Sequence, residues 1–402
     1  MLALNQERRH DAVMALLLLL IAVLVVAFLA LRAFLPKIGV VPVVGYLILG
    51  WGVSLLLGDR LPGAEGALSV LSKIGLVLLL FHIGLEAQLQ SLIELLGKAG
   101  WILAIEVSVV GVTAWAVMAL FGQPIAPSLV VAVALVATSI GVATLNWQRL
   151  GRVRSKEGAL LLDLATLDDL AGVLLMTLLY GLLPYWEGGG LSFANVGWPL
   201  LGVAGLILGC YLFSLFAEPP LLSGLMKVEK RPDTMLTILA IGMIIASIAS
   251  LVHTSFAVGA FFAGIAFSRD PKAVRLHVSM ESLLDLFVPF FFFWIGYQTT
   301  LSHLGQEWPL FLILLGVTLI AKLLSTGLPA RWVGLSPKGS LLIGLSMLPR
   351  AEITMVVAEH GLILGFIGRG TYSLISLIVL ISCLATSVLV RLVDRVAEPK
   401  SV

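Results

Sequence analysis

Charge is what this sequence most conspicuously lacks. Only 12% of its 402 residues are Asp, Glu, Lys or Arg, against about 25% in a soluble domain. Hydrophobic residues make up 59% and mean hydropathy is +1.08. A chain like this has too little polar surface to cover a water-facing globule. Cysteine is scarce too. Cys210 and Cys383 both lie in apolar segments and read as small buried hydrophobes, not as a disulfide. A net charge of +2 says nothing about nucleic acid, and no basic patch points to it, so no nucleic-acid partner is expected. The first apolar run, "AVMALLLLLIAVLVVAFLALRAFL", is too long for a signal-peptide core and has no cleavage site, so it reads as a retained helix.

What the sequence has instead is repeated apolar runs of bilayer length. They predict an all-α polytopic membrane protein. Thirteen spans centre on 12–35, 38–57, 67–88, 98–121, 127–148, 158–183, 195–216, 234–252, 254–268, 283–299, 308–330, 339–362 and 370–396. The ninth is short and holds "GAFFAG", which predicts close helix packing. Lysines and arginines gather after odd-numbered spans: Arg149, Arg152, Arg154 and Lys156 after the fifth, Arg269, Lys272 and Arg275 after the ninth. Loops after even spans hold little more than Arg60 and Arg369. This asymmetry predicts a cytoplasmic C-terminus and an N-terminus outside.

Span 5 carries "LVATSIGVAT" at its centre, and span 12, seven spans later, carries "LSMLPRAEIT". An offset of seven reverses helix direction. Spans 1–6 and 8–13 then form inverted six-helix repeats around linker span 7, with two discontinuous helices crossing at the bilayer midplane.

The rare charges fall where they cost most. Asp168 and Asp169 interrupt "GALLLDLATLDDLAGVLLMTLLYGLL" about ten residues into span 6. An Asp, Lys or Arg at a helix centre costs roughly 2.5–3.5 kcal/mol on insertion scales. Adjacent positions point about 100° apart on a helix, so the two carboxylates fan out from one face. Structural salt bridges need no second acid. A site that exchanges a cation for protons does. Lys322, deep in "LIAKLLSTG", is too central to snorkel and is a candidate partner for Asp168 or Asp169.

Arg350 and Glu352 flank a predicted break at Pro349. Two apart on a helix they would not face each other. Across a break, Arg350 would neutralise the C-terminal dipole of one half and Glu352 the N-terminal dipole of the next. Thr138, Ser139 and Gly141 are small and polar in span 5; their hydroxyls either satisfy backbone carbonyls or line an ion site. Asp163, five residues before Asp168, is a candidate relay or an interfacial acid. Glu106 and Asp285 lie in apolar runs with no evident base. Lys73, His82, Glu86, His253 and His360 read as interfacial.

Taken in order, "FHIGLE", "ALVATSIGVAT", "TLDDLAGV", "VGAFFAGIAFS", "FVPFFFFWIG", "IAKLLSTG" and "LSMLPRAEITMVVAEHGL" resemble the bacterial monovalent cation:proton antiporter-2 family over nearly the whole chain. The resemblance implies a homodimer. Its dimerisation domain would come from 1–97 and 231–305 and its core ion-transport domain from 98–190 and 306–402, with a linker helix over 191–230. It implies that Asp169 is the main ion-binding carboxylate, that Asp168 pairs with Lys322, and that Thr138 lies in the crossing break. It implies no cofactor beyond the transported ions. The chain departs from the family at Ala351, where Gly is common, at Tyr46, which replaces a frequent glutamate, and at Asp163, where a small residue is usual. No nucleotide-binding regulatory domain follows the last span, so gating through one is not expected.

The leading expectation is an electrogenic sodium (or lithium)/proton antiporter in a bacterial inner membrane, with potassium/proton exchange as the alternative. An intramembrane aspartyl protease would need its two acids on separate helices facing each other. A channel would not need a titratable pair at its centre.

Overall fold

A computed structural model describes residues 2–57, 64–86, 97–187, 201, 204–205, 208–217, 220, 234–251, 256–268, 277–300, 305 and 307–396. Among these the regular elements are all helical. They are α1 (Leu2–Ile38), α2 (Pro42–Leu57), α3 (Ala64–Glu86), α4 (Lys98–Leu120), α5 (Ile125–Ala134), α6 (Ile140–Arg149) and α7 (Lys156–Glu187). After a short π-helical turn at Phe213–Ala217 come α8 (Thr234–Leu251), α9 (Phe256–Phe267), α10 (His277–Gln298), α11 (Trp308–Trp332), α12 (Pro337–Ser346), α13 (Glu352–Ile363) and α14 (Arg369–Val396). Residues 195–200, 202–203 and 206–207 of the predicted seventh span, 195–216, lie outside the described residues, and so does His253.

Among the described residues, six helices are long and apolar enough to cross a membrane: Val13–Ile38, Ala64–Glu86, Ala99–Leu120, Met280–Gln298, Trp308–Trp332 and Arg369–Asp394. The 32-residue α7 is also long, but Asp163, Asp168 and Asp169 interrupt its apolar run. Spans 5 and 12 are each two short helices, α5–α6 and α12–α13, with non-helical chain between them.

The helices pack in two groups. In the first, α2 and α3 lie on α10, and α3 and α8 lie on α9. Small residues let the backbones approach. A Cβ at Gly50 of α2 would overlap the Phe293 carbonyl oxygen, and one at Gly296 of α10 would overlap that of Leu47. Gly84 of α3 and Gly264 of α9 stand in the same reciprocal relation to the carbonyls of Phe261 and Phe81. Gly264 closes the "GAFFAG" run. Phe28 ties α1 to this group through edge contacts with Tyr46 and Phe290, ring centroids 5.3 and 5.0 Å away. One face of α1 is open: Leu16, Leu19 and Val26 are each at least 60% exposed.

In the second group α4 packs on α5, α7 and α11, α13 on α5 and α7, and α14 on α12 and α13. Polar contacts between the ends of helices show which ends lie together. Asp394, near the end of α14, meets Arg152 at 3.5 Å and Lys338 at 3.7 Å, and Arg391 donates to the Gly39 carbonyl. At the other end, the Thr300 N–H donates to Ser373 Oγ at 3.0 Å and the Tyr297 hydroxyl to Glu65 at 3.1 Å.

Candidate functional site

The site begins with two interrupted helices. In the second, Pro349 removes a backbone donor and disfavours helical geometry at Leu348, so α12 stops at Ser346 and α13 starts afresh at Glu352. The first interruption, Leu135–Ser139, contains neither Pro nor Gly. Contacts with the second hold it open. The Ser139 N–H donates to the Pro349 carbonyl at 2.8 Å, and the Thr138 hydroxyl donates to the Met347 carbonyl at 3.2 Å. Ser139 is also the N-cap of α6: its oxygen accepts from the Val142 N–H at 3.4 Å, as hydroxyls at that position do.

A broken helix leaves carbonyls without intrahelical donors. Bases supply those donors here. Lys322 Nζ donates to the Val136 carbonyl at 2.5 Å, and Arg350 Nη1 donates to the Ala137 carbonyl at 3.3 Å. Arg350 therefore serves the facing break, not the end of its own half-helix as its position in sequence predicts. Its backbone is fixed by α14: its N–H donates to Ser382 Oγ at 3.2 Å, and its carbonyl accepts from Cys383 Sγ, also at 3.2 Å. Glu352 does open α13, at the positive end of that helix. The Ser139 hydroxyl hydrogen-bonds to its carboxylate.

α7 crosses beside the breaks. Gly172, one turn after Asp168, faces Ile353 and Ala137, which leave little room for a Cβ. The same face thus brings Asp168 to Lys322. Asp168 Oδ2 accepts from Lys322 Nζ at 2.8 Å, and Glu106 Oε1 of α4 accepts from it at 2.5 Å. All three Lys322 donors are then used. Lys322, Asp168 and Arg350 are fully buried and Glu106 is almost so. Sequence reasoning left Glu106 without a partner. Its signal was an acid in mid-helix that needs a base. Asp285, the other unassigned acid, pairs with Arg32 of α1.

Asp169 is different. It is 3% exposed, yet among the described residues no donor meets its carboxylate. The charges acting on it are the acids Glu352, Asp168 and Glu86 and one base, Lys322. Asp168 Oδ1 and Glu106 Oε2 are also buried without a hydrogen-bond partner. Asp163 is half-buried and has no hydrogen bond or ion pair among the described residues that joins it to this cluster. Lys73 is exposed on α3, and His360 packs on the Tyr180 ring, centroids 4.8 Å apart. Two aspartates do not make a resident metal cage, and the described residues hold no cluster of three or more His, Cys, Asp or Glu that would.

A cavity of about 280 Å³ lies between the two helix groups. Val43 and Tyr46 of α2 and Asp285 of α10 line one wall; Gly141 of α6 and Glu352 of α13 line the other. The Arg32–Asp285 pair is half-exposed in it. The cavity leads from the α1–α2 turn to Glu352, whose charge acts on Asp169. This arrangement gathers negative charge in a low-dielectric interior, which attracts cations and protons alike.

The chain matches the model of the transmembrane sodium/hydrogen exchanger family over residues 13–395. It is 29% identical to the high-affinity Na(+)/H(+) antiporter NhaS3 of Synechocystis over 330 residues, 78% of this chain and 69% of that one. It is 26% identical to the K(+)/H(+) antiporter subunit KhtU of Bacillus subtilis, over 72% of this chain and 71% of that one. The fold superposes on the sodium proton antiporter MjNhaP1 of Methanocaldococcus jannaschii with a TM-score of 0.71 at 15% identity, covering 95% of this chain and 99% of that one. An all-helical membrane chain with acids and bases gathered at two facing helix breaks thus belongs to the sodium/hydrogen exchanger family, whose members are antiporters and not enzymes.

Proposed function

We propose that this chain is a secondary active sodium (or lithium)/proton antiporter in which protons and the cation compete for Asp168 and Asp169. The observation that carries this reading is Asp169. It is a buried carboxylate with no donor, next to one that is held by a lysine. A bare cation needs oxygen ligands where water is scarce, and a carboxylate that binds the cation cannot at the same time hold a proton. Competition for one site couples the two fluxes. Thr138 and Ser139 keep free lone pairs as further oxygens, Lys322 is the counter-charge, and Pro349, Arg350 and Glu352 hold the crossing. Two acids at the site give two places to shed a proton for each cation taken, and so we propose electrogenic exchange.

We read the chain as thirteen spans in inverted six-helix repeats. Residues 1–97 and 231–305 form the dimerisation scaffold, 98–190 and 306–402 the moving core, and 191–230 the linker. The two packing groups, the facing breaks and the shared helix ends support this reading. So does the apolar outer face of α1, which suits a second copy. With the basic loops in the cytoplasm, the cavity opens inward, and the core carries the site past the scaffold as an elevator.

Proton flux in proteoliposomes, with sodium, lithium or potassium supplied in turn, tests the reading. Asp169→Asn is expected to fold and to abolish exchange. Normal sodium-driven proton flux in that variant would refute it. A potassium/proton exchanger is the second reading, favoured by the likeness to KhtU, and the same assay separates the two.

A further inference from the structure

The proposed exchange leaves one difficulty. When Asp168 turns to the cation, it lets go of Lys322, a fully buried lysine. A buried charge stripped of its partner is strongly destabilising, so cation binding should be weak.

We propose that Glu106 is the positioning residue that removes this penalty, as the permanent partner of Lys322. Three features of the cluster support the assignment. Glu106 Oε1 lies 2.5 Å from Lys322 Nζ, closer than Asp168 Oδ2 at 2.8 Å. Glu106 is on α4 and Lys322 on α11, two helices that pack along each other, so their contact persists while α7 and the breaks rearrange. The Val136 carbonyl takes the third Lys322 donor, which fixes the ammonium between Glu106 and the break whether or not Asp168 is there.

Charge balance gives the same answer. Around the lysine lie two acids, Glu106 and Asp168, and two bases, Lys322 and Arg350, whose guanidinium feels both acids. Asp168 can turn away while Glu106 and Lys322 remain a neutral pair. Asp168 is then the exchangeable member of the cluster and Glu106 the fixed one. Both aspartates are free to meet the cation, and Lys322 stays a fixed charge throughout.

The test is the dependence of exchange on cation concentration, and it rests on the antiport reading above. In Glu106→Gln, Asp168 is the only acid left on Lys322 and is held there. The KM for sodium is expected to rise about a hundred-fold or more, with turnover at saturating sodium little changed. Glu106→Asp keeps the charge, and its KM should stay within about threefold of the unmodified protein. A merely structural role would lower folded yield and turnover and leave KM where it was.

A second comparison holds even where Glu106→Gln alone fails to fold. In a Lys322→Met background no buried ammonium needs a partner, so adding Glu106→Gln should leave KM unchanged. A normal sodium KM in Glu106→Gln, or a further rise in KM in the double variant, would overturn the assignment. Either result, with sodium/proton exchange intact in the unmodified protein, would refute the role of Glu106 alone. Absence of that exchange would instead refute the parent reading.

Discussion

Replacing Lys322 by methionine deletes its charge at nearly constant volume and turns the ion cluster into a measurable imbalance. Glu106 and Asp168 lose the base they share at 2.5 and 2.8 Å. Arg350 still balances one acid. The other stays buried and unpaired or takes a proton. For a carboxyl of ordinary pKa, about 4, proton uptake at pH 7 costs about 4 kcal/mol, at 1.36 kcal/mol per unit. That agrees with the roughly 3–5 kcal/mol lost when one side of a buried pair is removed. The sign of the pH dependence follows. Above about pH 4 the folded variant holds one proton more than its unfolded chain, so its stability rises as pH falls. Denaturant unfolding in detergent from pH 5 to pH 8, against the unmodified protein, is the assay. The expected gap is about 4 kcal/mol at pH 7, shrinking by about 1.4 kcal/mol per unit toward pH 5. Lys322→Met with Glu106→Gln leaves Asp168 to Arg350 and should recover most of the loss. A gap below about 1 kcal/mol at pH 7, or one that ignores pH, would refute the reasoning.

Two further predictions concern the scaffold and its contact with the core. Gly264→Leu drives a side chain into the Phe81 carbonyl of α3, and overpacking of this kind costs about 1–3 kcal/mol or more; unchanged thermal stability would contradict the close α3–α9 contact. Val43 of α2 and Leu145 of α6 line the same cavity from the two helix groups. With Cys210 and Cys383 replaced, cysteines at these positions joined by a short bifunctional reagent should stop turnover while sodium still binds. Exchange at the normal rate would replace the elevator with a fixed-scaffold gate.

How much of this was legible in the sequence varies residue by residue. Scarce charge and long apolar runs specify a helical membrane chain, because a bilayer leaves the backbone few alternatives. The interruption at Pro349 is legible for a local reason, the missing N–H. The one at Leu135–Ser139 is not. No residue there breaks a helix, and the contacts that hold it open lie some two hundred residues away, in Met347 and Pro349. Lys322 stood out as a deep lysine, but its second acid did not. Glu106 is 216 residues distant, and helical periodicity says which face a side chain occupies, not which helix covers that face. The same limit hid Arg32 from Asp285 and sent Arg350 to Ala137 instead of to its own half-helix. A rule that every mid-span acid requires a base would have shortened the list of partners for Glu106 to Lys322, Arg350 and little else.

The balance of the cluster also gives a reason why the proposed elevator would exchange ions and not leak them. Glu106 offsets Lys322, and Asp168 offsets Arg350. Glu352 sits at the positive end of α13 and accepts a hydrogen bond from Ser139. Asp169 is the charge left over. An empty core would have to move that carboxylate past the apolar wall of the scaffold, and a charge at membrane depth costs at least roughly 2.5–3.5 kcal/mol. That slows the empty crossing by about a hundred-fold or more. A monovalent cation or protons on the aspartates relieve the negative charge and lift the penalty. In the proposed elevator the core would then cross readily only when loaded, so each cation carried one way would require protons carried back. On this argument the coupling resides in a barrier to motion of the empty site, and Asp169→Asn, which removes the charge for good, should leave a core that moves freely but exchanges nothing.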